Sequence, residues 1–367
     1  MDSSELIKIY DEACKFFYNQ QNNLIQKSKH WESYNVKKFN SENLENFRAP
    51  KSLSLGLDDQ NNGIHFKIFH KLIKKTNKKF VFDNLLKENI GNSNSVSFFN
   101  DVVVDYNKLV HIYWFWILKK SILENNKISN FCEIGGGFGS FAELFVKNFD
   151  SKIFLIDLPE ANLMSTYYLK KLYPEKNFFL FIDYKKNKFL SKLDFDSHDI
   201  IILPPNCNID KKIKIDLFVN TRSMMEMNYE VIKSYFNFIQ EHLIDKGHFL
   251  NINRYEKISV GNSIRICEFP YDKNWKVVVS EPSFNQNWIH FLLTQRTFEG
   301  DKKNIDNELL KIKKIGAKFY MTNKNNNFLY KFFLKITHKI KKIFFGLNFT
   351  SYVLNNFYKI LCKFKLN

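Results

Sequence analysis

The chain predicts an α/β fold in which a mostly parallel sheet alternates with helices. Three observations carry this. From residue 130 onward, short runs rich in Ile, Phe, Leu and Val alternate with longer stretches at helical spacing. Gly135, Gly136, Gly137 and Gly139 cluster where the first run gives way to the first helical stretch, in a chain with only 12 glycines among 367 residues. The last two strand-like runs, WKVVVSEP and IHFLLTQR, have no helical stretch between them, which suits an antiparallel pair at the sheet edge.

The elements follow in order. Within residues 4–30, Leu6, Ile9, Tyr10, Ala13, Phe16 and Phe17 fall at helical spacing and predict a first helix. Residues 41–63 are turn-rich and predict a loop. Helical spacing resumes in IHFKIFHKLIKKT and in DYNKLVHIYWFWILKKSILENNK, the last element before the glycines. NFCEIG (strand), GSFAELFVKNF (helix), KIFLIDL (strand) and EANLMSTYYLKKLYPEK (helix) come next. FFLFID and DIIILPPN both read as strands, with DIIILPPN favoured as the third strand of the sheet. KIDLFVNTRS reads as a strand and MNYEVIKSYFNFIQEHLIDKG as a long helix closed by Gly247. GHFLNINRY is a further strand. These patterns divide the chain into a helical N-terminal region (1–107), an α/β domain (108–299) and a basic, mainly helical extension (300–367).

Composition narrows the class. Hydrophobic residues at 44% and aromatics at 17% suffice for a sizeable core and exclude global disorder. The formal charge of +17 is concentrated at one end: from Asp301 onward there are 15 lysines against Asp301, Asp306 and Glu308, with no acid after Glu308. The five cysteines have no CxxC or CxxH spacing, which argues against a zinc site and for a reducing compartment. The N-terminus opens on acids without a basic n-region, unlike a signal peptide, and the longest apolar run, LVHIYWFWIL, is too short to span a bilayer. A cytoplasmic location is expected.

Glycines packed at a strand-to-helix turn let a ligand approach backbone N–H groups at the carboxyl end of a parallel strand. Gly137 to Ala142 fits the dinucleotide pattern GxGxx(G/A), so the glycines alone leave a nicotinamide cofactor open. Glu133 in front of them tilts the choice, because a carboxylate repels a pyrophosphate and attracts a cation. Asp157, about twenty residues further on, suits ribose hydroxyls in either case, or a helix N-cap.

From Glu133 to Gly139 the string reads E-x-G-x-G-x-G, which resembles motif I of the class I S-adenosylmethionine (SAM)-dependent methyltransferases. The glycine loop, LIDLPE at 155–160, Asn220/Ser223/Glu226/Met227 as N-x-x-S-x-x-E-M, and Asn253-Arg254-Tyr255 together resemble the sugar O-methyltransferases of bacterial surface-polysaccharide loci. The resemblance covers about 130 residues. It implies a Rossmann-like seven-stranded sheet and SAM as cofactor, held by Glu133, the four glycines and Asp157 with Leu158. Asn206, in the loop after the third strand, and Asn220 complete that set. It also implies a carbohydrate acceptor: a nucleotide-activated or lipid-linked glycan.

Ligands of an open sheet bind beyond the carboxyl ends of its strands. Glu226, after the fourth strand, is the first candidate for a general base, set against a reading as a first-turn helix acid. His290 is the second, set against a core histidine. Arg222 and Arg254 stand out in a lysine-dominated chain, since a guanidinium grips a carboxylate or phosphate bidentately; the cofactor carboxylate and an acidic sugar both qualify. Ser223 and Tyr255 join them as acceptor contacts. No carboxylate cluster points to a metal. Residues 328–365 interleave Lys with Phe, Leu and Ile, as in a helix lying on an anionic membrane face or packed on the protein. No RNA-binding motif accompanies the charge, and nucleic acid is not expected as a partner.

Overall fold

In a computed structural model, the structure describes residues 2–19, 40–49, 65–124, 126–258, 261–297, 302–320 and 359. The chain divides into two compact units, one formed by Met1–Leu44 with Lys119–Ala317 and the other by Glu45–Leu118 with Lys318–Asn367. Two helices open the chain, α1 (Ser3–Tyr18) and the short α2 (Ser41–Glu45). The amphipathic reading of the N-terminus holds for α1, which turns Leu6, Ile9, Tyr10, Ala13 and Phe17 inward. Residues 20–39 and most of the expected 41–63 loop lie outside the described residues.

The second unit contains α3 (His65–Lys75), α4 (Lys78–Asp83), the hairpin of β1 (Val96–Phe99) and β2 (Val102–Asp105), and α5 (Tyr106–Leu118). Phe66, Phe69 and Phe99 form an aromatic core with ring centroids 5.6–6.0 Å apart. Arg48 and Asp105 form a buried ion pair in the same unit. The basic run 328–365 lies outside the described residues except for Lys359.

The first unit is built on one large sheet. In chain order its elements are β3 (Asn130–Ile134), α6 (Ala142–Asn148), β4 (Lys152–Ile156), α7 (Pro159–Leu172), β5 (Phe178–Phe179), α8 (Phe181–Asn187), α9 (Lys192–Ser197), β6 (Ile200–Leu203), β7 (Ile215–Thr221) and α10 (Tyr229–His242). Then come β8 (Leu243–Arg254), the two-residue hairpin β9 (Lys257–Ile258) and β10 (Ser263–Ile264), β11 (Trp275–Ser283), β12 (Gln286–Arg296) and α11 (Lys302–Gly316).

The strand order is β11-β12-β8-β7-β3-β4-β6-β5. The six strands from β8 to β5 pair in parallel, and β12 and β11 add antiparallel at the other edge. This is the expected Rossmann-like architecture, with the helix-less pair where the sequence puts it. Seven strands are expected and eight are present; the extra one is the two-residue edge β5. DIIILPPN indeed supplies the third strand, since β6 lies directly beside β4. FFLFID is strand only at Phe178–Phe179, because Asp183 accepts a bond from the Leu180 N–H and starts α8 instead. Near-continuous burial of β3, β4, β6 and β7 is the mark of strands covered on both faces.

One helix end differs from expectation. The helix expected to run to Gly247 stops at His242, and β8 begins at once with Leu243 beside Ile215. The register then shifts before Leu217 meets His248, with Lys246 at φ +59° carrying the bulge. Gly247 therefore serves a strand irregularity, where pairing with β7 outcompetes another helical turn.

Candidate functional site

Going outward from β3, β4 pairs on one side and β7 on the other, so the connections diverge there and open a crevice at the carboxyl ends. The glycine loop sits at this point. Its path is left-handed three times, with φ +74° at Gly135, +57° at Gly137 and +85° at Gly139. At Gly135 a side chain is also excluded by space, because a Cβ would lie 1.8 Å from the Ser223 Oγ. The loop is pinned by the Gly135 N–H to the Ile156 carbonyl (2.7 Å) and by the Gly137 N–H to Asp157 Oδ2 (2.8 Å).

Asp157 follows β4, and its other oxygen accepts from the Leu158 N–H at 2.7 Å. It thus anchors the glycine loop and bonds the N–H of Leu158, the N-cap residue of α7, without capping the helix itself. Burial pushes its carboxyl up to about 7, against the pull of those two N–H groups, with Glu226 and Glu160 adding to the rise. Glu160 accepts from the Tyr18 hydroxyl through both oxygens (3.1 and 3.2 Å), which brings the end of α1 to the same rim.

Glu133, near the end of β3, is completely buried. Its Oε1 accepts from the Thr221 hydroxyl at 2.9 Å, while Oε2 has no hydrogen-bond partner. A Cβ at Gly136 would lie 3.5 Å from that oxygen, so the loop covers it with a residue that has no side chain. Burial raises the carboxyl to about 8 and Asp157 adds to the rise, opposed by the Thr221 hydroxyl and by the Ala142 N–H at the start of α6. A buried carboxylate oxygen without a donor costs free energy that a nearby cation would recover.

Asn220 and Asn253 tie the ends of β3, β7 and β8 together. Asn220 donates to the Ile134 carbonyl (2.7 Å) and Ser223 Oγ (2.6 Å), and accepts from the Met224 N–H (3.1 Å) and Asn253 (2.8 Å). Asn253 in turn accepts from the Met225 N–H at 3.0 Å. Asn220, expected to touch the cofactor, is fully buried with its amide spent on these bonds, and Ser223 is engaged with Ile134 beneath the loop. Both position the site. Asn220→Ala should cost about 2–4 kcal/mol, since several buried groups lose a partner at ~1–3 kcal/mol each. Paired with Asn253→Ala in urea unfolding, the losses should sum to more than the double variant shows, because the two amides share a bond.

Beyond the strand ends, Arg222 follows β7 at φ +67°, and Asn206 follows β6 at φ +66°. Glu226 closes a short 3₁₀ turn, Met224–Glu226, after β7 and pairs with Lys257 of β9. Arg254 ends β8, with its Nε buried and lacking a partner. Sequence reasoning passed over Lys257: it stands in the NRYEK run, but one lysine in so lysine-rich a chain carries no signal. Tyr18 was likewise invisible, because only folding brings it to Glu160; Thr221 stands in the strand-end run Asn220–Ser223, but its bond to Glu133 is set by the sheet.

Two expected residues are not brought into the crevice. His290 is 1% exposed, with Nδ1 against the Tyr255 hydroxyl (2.9 Å) and Nε2 against Ser280 Oγ (2.8 Å). Burial drops its pKa to about 4, leaving a neutral packed imidazole. Tyr255 is equally buried, and its hydroxyl is taken by His290. Among the described residues, no group of three His, Cys, Asp or Glu is placed to hold a metal ion. Nor is any described helix long and apolar enough to cross a membrane.

No protein-family model and no curated protein sequence matches the chain. Solved structures that match part of this chain include the 1,6-didemethyltoxoflavin-N1-methyltransferase of Burkholderia thailandensis with S-adenosylhomocysteine bound. It is 12% identical over 51% of this chain and 78% of that one, with a TM-score of 0.36. A Galdieria sulphuraria protein described as a sarcosine dimethylglycine methyltransferase is 9% identical over 52% and 85%, with a TM-score of 0.37. The mitomycin 7-O-methyltransferase is 12% identical with a TM-score of 0.33; 52% of this chain matches 57% of its length. At TM-scores below 0.5 the assignment is left to the site's own chemistry.

Proposed function

We propose that the chain is a SAM-dependent methyltransferase acting on a sugar hydroxyl of a surface glycan or its activated precursor. The observation that carries the cofactor assignment is Glu133, a buried carboxylate with an unpaired oxygen beneath the glycine loop. A pyrophosphate placed there would keep the carboxyl protonated, whereas the cationic sulfonium and ammonium groups of SAM favour its ionised form. Asp157, one strand away, offers acceptors suited to ribose hydroxyls at the edge of the same loop. The sugar is supported by the resemblance of LIDLPE, the N-x-x-S-x-x-E-M segment and NRY, which converge on the ends of β4, β7 and β8.

When bound, SAM supplies a methyl carbon already activated by its sulfonium. The protein must then hold an acceptor oxygen in line, keep water out and receive the hydroxyl proton. Glu226 is placed for the last task, held by Lys257 at the acceptor-side rim and close enough to Asp157 to influence its charge. Glu226→Gln is expected to leave SAM affinity within about threefold while cutting kcat by ~10²–10⁴-fold. Normal turnover in that variant removes Glu226 from catalysis. Calorimetry with SAM, S-adenosylhomocysteine and NAD tests the cofactor, and NAD binding without SAM binding would reverse the assignment.

A further inference from the structure

Three cations converge at the acceptor-side rim: Arg222 after β7, Arg254 at the end of β8 and Lys257 in β9. Arg254 and Arg222 each act electrostatically on Lys257, so the three share one neighbourhood. Glu226 offsets one charge through its pair with Lys257. The Arg254 Nε–H is shielded from solvent and has no acceptor. A guanidinium donor left open in this way is complementary to an anion with two oxygens.

Strand order sets Arg254 apart from the glycine loop. β8 lies two strands from β3, which at ~4.8 Å per strand puts Arg254 about 10 Å from the strand bearing Glu133 and the glycine loop. The offset is on the side away from β4 and Asp157. That offset favours the second substrate over the cofactor carboxylate as the anion's source. We infer that the acceptor carries a carboxylate or phosphate, and that Arg254, with Arg222 and Lys257, grips it so that a neighbouring hydroxyl faces Glu226. The anion's role as part of an acceptor rests on the methyltransferase reading; the anion site does not.

The test is calorimetry of the full chain with uridine diphosphate, glucuronic acid and glucose, each with and without S-adenosylhomocysteine. Uridine diphosphate or glucuronic acid should bind and glucose should not; which anion binds separates phosphate from carboxylate. Arg254→Gln should weaken that anion at least tenfold, Arg254→Lys less, and both should bind S-adenosylhomocysteine within twofold of the unaltered chain. Thermal melts confirm that the variants fold. Absence of anion binding, or equal binding by Arg254→Gln, overturns the inference. Loss of S-adenosylhomocysteine binding in Arg254→Gln also overturns it, assigning the arginine to the cofactor. If the unaltered chain binds the anions but no S-adenosylhomocysteine, the anion site stands and the methyltransferase reading falls.

Discussion

Glu133→Gln is expected to abolish measurable SAM binding and, at the same time, to stabilise the ligand-free protein above pH 8. Both effects come from one buried carboxyl. In the fold its pKa stands at about 8, raised first by burial, whereas an unfolded chain leaves a glutamate near ~4.3. Between those values the folded state holds a proton that the unfolded state has released. Stability therefore falls as pH rises through that window and levels off above about 8. Asp157 adds a fall of the same sign, ending near pH 7. Glutamine cannot ionise, so the variant's denaturation midpoint should depend less on pH, with its largest gain at pH 8–9.

Binding shows the other side of the same linkage. A cation beside Oε2 favours the ionised form, so SAM binding below pH 8 releases a proton. Affinity should rise by up to about tenfold per pH unit and flatten above the free-state pKa. Calorimetry at pH 6, 7, 8 and 9, in buffers of different ionisation enthalpy, reads both affinity and proton release. If Glu133→Gln binds SAM within about threefold of the unaltered protein, Glu133 is not the cofactor's carboxylate.

Gly135→Ala is expected to disable the site by a steric route. The added methyl would lie 1.8 Å from Ser223 Oγ and 2.3 Å from its Cβ, at a backbone φ of +74°. Left-handed backbone costs a non-glycine residue ~1–2 kcal/mol, and overpacking adds ~1–3 kcal/mol. Against a typical domain stability of ~5–15 kcal/mol, the variant should melt well below the unaltered protein. Relief of the clash would have to come from Ser223 or the 3₁₀ turn that carries Glu226. Ser223→Gly in the same chain removes both clashing atoms and should restore part of the stability, leaving the φ penalty. Equal melting of the single and double variants would show that the contact with Ser223 is not what forbids a side chain.

These two residues also mark how far the sequence is legible. Glu133 and the glycine cluster stand out because carboxylate and glycine have few reasons to occupy a strand-to-helix turn together. DIIILPPN and the β11–β12 pair are legible because buried parallel strands are continuously apolar and because no helix separates the last two runs. The end of α10 is not legible, since Leu243 to Gly247 suit a helix locally and only pairing with β7 draws them into strand. His290 shows the same limit: a histidine in an apolar strand reads alike as base or core until its two partners are known.

By itself the sequence determined the alternation of strands and helices, the place of the glycine turn and the acidic residue ahead of it. Periodicity and backbone permissiveness are local properties, and they survive without knowledge of neighbours. Tertiary structure alone decided that Asn220 and Ser223 brace the loop, that Tyr255 and His290 satisfy one another in the core, and that Lys257 meets Glu226. Each of those outcomes depends on which hydrogen-bond partner or charge lies across a strand boundary, and pairing at that distance is set by the order of the sheet.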